Sequence, residues 1–300
     1  MIPTSYMFLA ILLVLFYGLT TWMSSIENFD VDSGETYEDS TEIYDDVYAS
    51  IYDMLWNPNE KTEFEKVSIQ DVALADKTKS DVRVLDLCSG TAPHACFFKN
   101  LGVDYVGVDT SDAMIKQARK NCPSAKFQKG DITQVQLFSQ KSFTTALLLT
   151  FSIYQFENPK IISDNVYQWL QPDGIFVVHM VDPDKYDPIH DLSSPFAAFS
   201  LQKYSLDRKT DSQIYFDKFK YTGSLKKKEN EDPAEYNEIF TYYDPSDNGG
   251  KKYRENKHYW MMPSKERLID IVKTSGFRHI ETVPMLNVGR EYQYLVYFMK

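Results

Sequence analysis

Between Val82 and Ile132 the chain makes one move three times: a short strand-like run ends at a glycine or an acid. Val82–Leu87 runs into a turn centred on Gly90 and then a helix predicted over Thr91–Asn100. Tyr105–Val108 ends at Asp109, and a helix capped by Ser111 runs to about Lys120. Ala125–Gln128 ends at Gly130-Asp131-Ile132. Phe143–Phe151 is a continuous apolar run, as expected of a strand buried on both faces. Asn158-Pro159 opens a helix to Leu170, and Asp173-Gly174 turns into Ile175–Val181. Strands alternating with helices predict an α/β fold with a doubly wound, Rossmann-like sheet. A helix through Lys273 and the strands Phe277–Val283 and Tyr292–Met299 bring that sheet to seven strands.

Asp182 to Lys257 breaks the pattern. Gln213–Tyr221 and Glu235–Tyr243 alternate like strands, separated by Lys226-Lys227-Lys228 and Asn248-Gly249-Gly250. This predicts an antiparallel β insertion after the fifth strand, capping the core over 182–257, with residues 258–300 completing it. The lysine triplet reads as a solvated turn. Upstream, Tyr44, Tyr48, Ile51, Tyr52 and Leu55 recur at helical spacing, and a second helix follows through Phe64, Val67, Ile69 and Val72.

The chain starts differently. Tyr6–Met23 holds eighteen residues without a charge, close to the span of a bilayer core. A cleaved signal would want a basic start and small residues before the cut, and neither is present. Residues 1–25 are therefore expected to be a single-pass transmembrane anchor, although Met23 could also open a shorter, soluble product. Residues 26–43 read as an acidic, flexible tether. The first sixty residues contain eleven acids and no Lys or Arg, and they account for the whole net charge of −11. A neutral body behind an acidic leader is a poor candidate for gripping a phosphate backbone, and nucleic acid is not expected as the main partner. The three cysteines, Cys88, Cys96 and Cys122, form no C-x-x-C and are expected to be buried free thiols. With no glycosylation sequon present, the membrane-tethered body is expected to face the cytosol.

Three features fall at strand carboxyl ends, where open α/β sheets bind ligands. Val84–His94 carries a strand into a glycine turn that lets backbone amides approach a ligand. Asp109, nineteen residues after Gly90, suits the paired hydroxyls of a ribose. Asp131 can reach an adenine amino group or nearby backbone. Each acid is equally a helix-cap candidate on its own. The combination resembles the class I S-adenosylmethionine-dependent methyltransferases over about Tyr44–Val181. The resemblance implies S-adenosyl-L-methionine as cofactor. Asp86 and Gly90 would sit around its methionine part, with Cys88 and Thr150 as further cofactor-binding residues. Asp109 would take its ribose hydroxyls, with Asp131, Ile132 and Met114 at its adenine. The chain departs from the family's three-glycine loop: Cys88 and Ala92 flank the single Gly90. The fingerprint of a dinucleotide enzyme is absent.

Ala49–Trp56, Leu149–Phe156, the insertion after the fifth strand and His258–Leu268 further resemble small-molecule N-methyltransferases of the sugar-amine and glycine types. There a leader tyrosine closes over the cofactor, which implies Tyr52, with Tyr44 second; the same tyrosine stripe would also suit a packing face. Methyl transfer to a neutral amine needs in-line positioning more than acid–base help. Tyr52, Tyr154 and Gln155 are the candidate catalytic residues. Gln155 stands where some relatives have a base, and cannot act as one. Tyr236, His258 and Arg290 are the candidate substrate contacts. His179 is a satisfied structural histidine or a further base. No metal-ligand spacing occurs. The expected activity is methyl transfer to a small-molecule amine. The alternatives are a protein acceptor, or a binding module that no longer catalyses.

Overall fold

A computed structural model describes residues 33–75, 77–186, 188, 210–227, 232–243 and 251–300. The anchor expected over Tyr6–Met23 lies outside the described residues, as does the Asn248-Gly249-Gly250 turn. Among the described residues, no helix is long and apolar enough to cross a membrane.

A seven-stranded sheet forms the core. It contains β2 (Arg83–Leu87), β3 (Asp104–Asp109), β4 (Lys126–Lys129), β5 (Phe143–Leu148), β6 (Leu170–Val181), β11 (Arg278–Pro284) and β12 (Gln293–Met299). Their order is β11-β12-β6-β5-β2-β3-β4, with β12 antiparallel to both neighbours and the other pairings parallel. The strand order reverses between β2 and β5, so the carboxyl ends of these strands open a crevice there, beside the end of β3. Alternation along the buried strands feeds both faces. Leu148, Phe176 and Val178 pack with α6 (Pro159–Trp169) and α7 (Lys265–Thr274). Leu147, Val177 and Val84 pack with α3 (Asn59–Ala73), α4 (Ala95–Asn100) and α5 (Asp112–Asn121).

The helix starts follow their caps. Ser111 Oγ accepts from Met114 N at 3.1 Å, Ser264 Oγ from Arg267 N at 3.3 Å, and Asn158 precedes Pro159 in the first turn of α6. The helix predicted from Thr91 begins only at Ala95. The residues before it form turns, because Ala92 takes a left-handed backbone that a helix cannot continue.

The insertion forms a second sheet. The run Gln213–Tyr221 is not one strand but the edges of two, β7 (Asp211–Tyr215) and β8 (Phe219–Lys226), paired antiparallel. β9 (Ala234–Tyr243) and β10 (Lys251–Trp260) extend the sheet. Its far edge corrects the tether expectation. Ser33–Tyr37 is a strand, β1, running parallel to β10, and a short helix, α1 (Ser40–Ile43), follows it. Leader helix α2 (Asp46–Trp56), capped by Asp45, buries Tyr48, Ala49 and Leu55 against Tyr221 and Phe240 of this sheet. The leader thus lies between the two sheets, above the crevice.

The cysteines also depart from expectation. Cys96 of α4 and Cys122, which caps the end of α5, form a disulfide with Cα atoms 5.4 Å apart; Cys88 is free. The helices that follow β2 and β3 lie side by side, which brings together two cysteines 26 residues apart that match no spacing motif.

Candidate active site

The loop after β2 takes left-handed backbone at alternate residues, with φ of 51° at Cys88, 53° at Gly90 and 55° at Ala92. These are the three positions where the resembled family has glycine. An L side chain costs about 1–2 kcal/mol in this conformation, so Cys88 and Ala92 keep the loop's shape at some expense. Asp109 fixes that shape. Its Oδ2 accepts from Gly90 N and its Oδ1 from Ser111 N, both at 2.9 Å. Burial pushes the Asp109 carboxyl up, against the pull of these amides.

The leader helix covers the loop. Asp53 accepts from Thr91 Oγ1 in the loop, from Asn57 Nδ2 at 2.8 Å and from Asn121 Nδ2 at 3.3 Å. The Tyr52 ring passes beside Gly90, 3.7 Å from where a Cβ would stand. Ser111 Oγ donates to the Tyr44 carbonyl at 2.5 Å, and Gln155 Nε2 donates to Tyr44 Oη at 3.1 Å. Neither acid motif alone signals these contacts, because they join segments far apart in sequence.

These elements enclose a cleft of about 300 Å³. Asp109 and Gly90 form one side, Met114 and Ile132 an apolar wall, and Tyr44, Tyr52 and Gln155 the leader side. Asp131 borders it and accepts from Thr133 N and Oγ1 at 2.9 and 2.7 Å. Cys88 also lines it; burial, then the nearby Asp109 and Asp86, push its thiol well up, so it is not poised as a nucleophile. A recess beside the cleft is bordered by Asp86, His94, Asn57 and Thr150. Burial raises the Asp86 carboxyl to about 6, and Tyr105 Oη donates to it at 2.5 Å.

Behind the recess lies a buried ionic cluster that the sequence reading missed. Lys61 Nζ sits 2.9 Å from Glu65 Oε1 and donates to Thr150 Oγ1 at 2.9 Å. Glu65 Oε2 lies 2.9 Å from His94 Nε2. Burial alone would raise the Glu65 carboxyl, but Lys61 and His94 hold it well below the usual range. The signal was present: Lys61 and Glu65 are four apart on one helix, but that spacing usually marks a solvated pair.

Beyond the turn at Thr150-Phe151 is a second, smaller cavity of about 30 Å³. Trp56, Tyr236 and Trp260 wall it, with Phe151, Lys61 and Arg290 around them. Tyr236 stacks on Trp260 with ring centroids 4.8 Å apart and planes 4° off parallel, and Phe151 stacks on Trp260 at 5.6 Å. Trp56 meets Tyr236 edge-on at 5.4 Å.

The candidate residues therefore divide. Tyr44, Tyr52, Cys88, Gly90, Asp109, Met114, Asp131, Ile132 and Gln155 share the cleft, Asp86 and Thr150 share the recess, and Tyr236 and Arg290 line the second cavity. Tyr154 lines none of them. It is fully buried, its Oη accepts from Val181 N at 2.7 Å, and it pins the end of β6. Its place just after the apolar run Phe143–Phe151 put it near the site, while the turn at Thr150-Phe151 aims it inward. His258 lines none of these cavities either; it sits behind Tyr236, with Nε2 at 2.8 Å from Glu238 Oε2. His179 is fully buried, and Phe151 N donates to its Nδ1 at 3.4 Å. Burial, and then Lys61, depress its pKa to about 3, so it stays neutral and structural.

Comparison with known proteins agrees with this geometry. Residues 84–174 match the family described as a methyltransferase domain. Carboxy-S-adenosyl-L-methionine synthase of Nautilia profundicola is 26% identical over 141 residues, which cover 45% of this chain and 59% of that one. The dTDP-3-amino-3,4,6-trideoxy-alpha-D-glucopyranose N,N-dimethyltransferase of Streptomyces venezuelae is 24% identical, covering 45% and 58%. The chain thus spans about half to three-fifths of the length of the curated relatives it matches. Among solved structures, SAM-bound CalS10, an amino pentose methyltransferase from Micromonospora echinaspora, superposes with a TM-score of 0.58 at 14% identity, covering 91% of this chain and 98% of that one. Residues 84–174 are thus similar to a methyltransferase domain, and the chain shares the Rossmann-like α/β fold of CalS10.

Proposed function

We propose that the chain is an S-adenosyl-L-methionine-dependent methyltransferase acting on an amine of a small molecule. One observation carries this reading: the cleft with Asp109 at its side shares Tyr52, Cys88 and Gly90 with the recess at Asp86, and Thr150-Phe151 and Lys61 stand between that recess and an aromatic cavity. The donor set fits the cofactor. Asp109 offers a carboxylate to vicinal hydroxyls, Met114 and Ile132 offer an apolar wall to a flat base, and the recess at Asp86 offers polar groups to an amino-acid end. When bound, the cofactor would supply a sulfonium methyl group that a neutral amine can accept in line, the neutral thioether being the leaving group.

The chain's own residues then act by position. Tyr52 and Tyr44 cover the cleft and exclude water. Trp56, Tyr236 and Trp260 present aromatic faces, which favour a nitrogen acquiring positive charge. No side chain is needed as a base before transfer, which suits a glutamine at 155. The acceptor is inferred to be an amine because the sugar N,N-dimethyltransferase and the amino pentose methyltransferase, by their names, act on amino sugars. Tethering through residues 6–23 is part of the proposal, resting on their eighteen uncharged residues. The test of the activity is S-adenosylhomocysteine release over a panel of amino sugars, their nucleotide-linked forms and amino acids. Turnover with a primary or secondary amine is expected; turnover only with proteins or hydroxyl acceptors would overturn the acceptor class. Membrane sedimentation of the full chain, lost on deleting residues 6–23, tests the tether.

A further inference from the structure

Trp56, Trp169 and Trp260 fall within the described residues. Two of them have a partner for the indole N–H: Trp56 donates to Tyr48 Oη at 3.0 Å and Trp169 to the Val135 carbonyl at 2.8 Å. Trp260, the last residue of β10, does not. It is 4% exposed, and its Nε1–H has no partner among the described residues. A buried donor left unpaired costs stability and is uncommon in a native fold. The indole is nonetheless held in place. Tyr236 and Phe151 stack on it nearly parallel, and Met261 N, next in the chain, donates to the Tyr154 carbonyl at 2.7 Å. The ring is thus fixed beside the turn at Thr150-Phe151, on the wall of the second cavity, with its N–H unpaired.

The rest of that wall is also rich in donors. Gln293 of β12 is buried and borders the cavity. Its Oε1 has no partner within hydrogen-bond distance, and neither has His179 Nε2. His179 Nδ1 accepts from Phe151 N, so the proton of the neutral ring sits on Nε2. The two side chains interact, and a small shift gives Nε2–H to Gln293 Oε1. That orientation leaves the amide NH₂ of Gln293 as a further donor. Lys61 and Arg290 carry donors only, and the Tyr236 hydroxyl is engaged by Tyr221 Oη at 2.9 Å. Among the described residues, no carboxylate borders the cavity. Its volume of about 30 Å³ takes one or two water-sized groups. A space of that size, walled by N–H donors, suits a small group that accepts: an oxygen.

We propose that Trp260 selects the methyl acceptor by donating its Nε1–H to an oxygen of that molecule, so that the acceptor is an amine that also carries a hydroxyl or a carboxylate. The inference rests on the amine reading above. An acceptor with the oxygen supplies the partner that the fold leaves out. An acceptor without it leaves the indole N–H buried and unpaired in the complex, and sites built this way discriminate strongly against the missing group. Trp260 takes no part in the methyl transfer itself. Its loss should therefore raise KM for the oxygen-bearing acceptor and leave kcat nearly unchanged.

The test is calorimetric titration of the full chain, saturated with S-adenosylhomocysteine, with matched amines. The pair 2-aminocyclohexanol and cyclohexylamine probes a hydroxyl; alanine and ethylamine probe a carboxylate. The wild type is expected to prefer the oxygen-bearing member of one pair, and the pair that responds identifies the group. Trp260→Phe keeps a ring for Tyr236 and Phe151 to stack on and removes the donor. It should narrow that preference about tenfold, with binding of the oxygen-free member nearly unchanged. Should Trp260→Phe not fold, Gln293→Leu removes the second donor, and the same narrowing is expected there. No preference within either pair, or a preference that the substitution leaves unaltered, would overturn the proposal and leave Trp260 to a bound water. A wild-type chain that binds none of these amines, or does not bind S-adenosylhomocysteine, would instead overturn the functional reading beneath it.

Discussion

Asp109→Asn isolates the residue on which the cofactor cleft turns. The carboxylate accepts two backbone amides, Gly90 N and Ser111 N, at 2.9 Å each. An asparagine offers one acceptor oxygen, so one of these N–H groups would face an NH₂. Hydrogen bonds to a charged acceptor contribute about 1.5–3 kcal/mol each. Losing one of them, together with the charged acceptor for the ligand's hydroxyls, costs about 3 kcal/mol in binding, or roughly a hundredfold in Kd. Folding should respond differently. Burial raises the Asp109 carboxyl, so the charged form is already disfavoured in the folded chain, and a neutral side chain relieves that penalty. The variant should melt within a few degrees of wild type yet bind S-adenosylmethionine about a hundredfold more weakly by calorimetry. A folded variant that binds within threefold of wild type would refute the assignment of Asp109.

Three further outcomes are expected. Asp86, raised by burial from 3.8 to about 6, binds its proton more tightly when folded. Wild-type stability should therefore decline as pH rises from about 4 through 6, and Asp86→Asn should be more stable than wild type at pH 7.5, by about 1–3 kcal/mol, but not at pH 4. Urea titrations at the two pH values check this. Glu65→Gln leaves Lys61 buried without its counter-charge and should lose about 3–5 kcal/mol in the same assay. Cys96→Ser opens the disulfide to Cys122 and should lose about 3 kcal/mol relative to the oxidised wild type, a difference that reductant should largely abolish.

Much of the core was legible because its signals are local. Strand ends, the Gly90 turn, the caps at Ser111 and Ser264, and Pro159 at a helix start each depend on a few adjacent residues. The cofactor cleft was legible for the same reason, since Gly90, Asp109 and Asp131 all sit at strand ends. What escaped the sequence depends on distant partners. Ser33–Tyr37 is polar enough to read as a tether and becomes a strand only because β10, over two hundred residues later, offers an edge. Glu238 and the Lys61–Glu65–His94 cluster carry residue types that composition assigns to the surface, and only tertiary packing buries them. Tyr154 was misplaced because the left-handed backbone at Thr150 and Phe151 reverses which side chains face the site.

The most direct measurement of the central claim follows the methyl group itself. The purified chain is incubated with S-adenosylmethionine labelled in its methyl group and a whole-cell extract, which is then separated into small-molecule and protein fractions. The account predicts label in small, basic molecules, and its loss with Asp109→Asn. Label confined to protein, or no transfer by a chain that binds the cofactor, would contradict it.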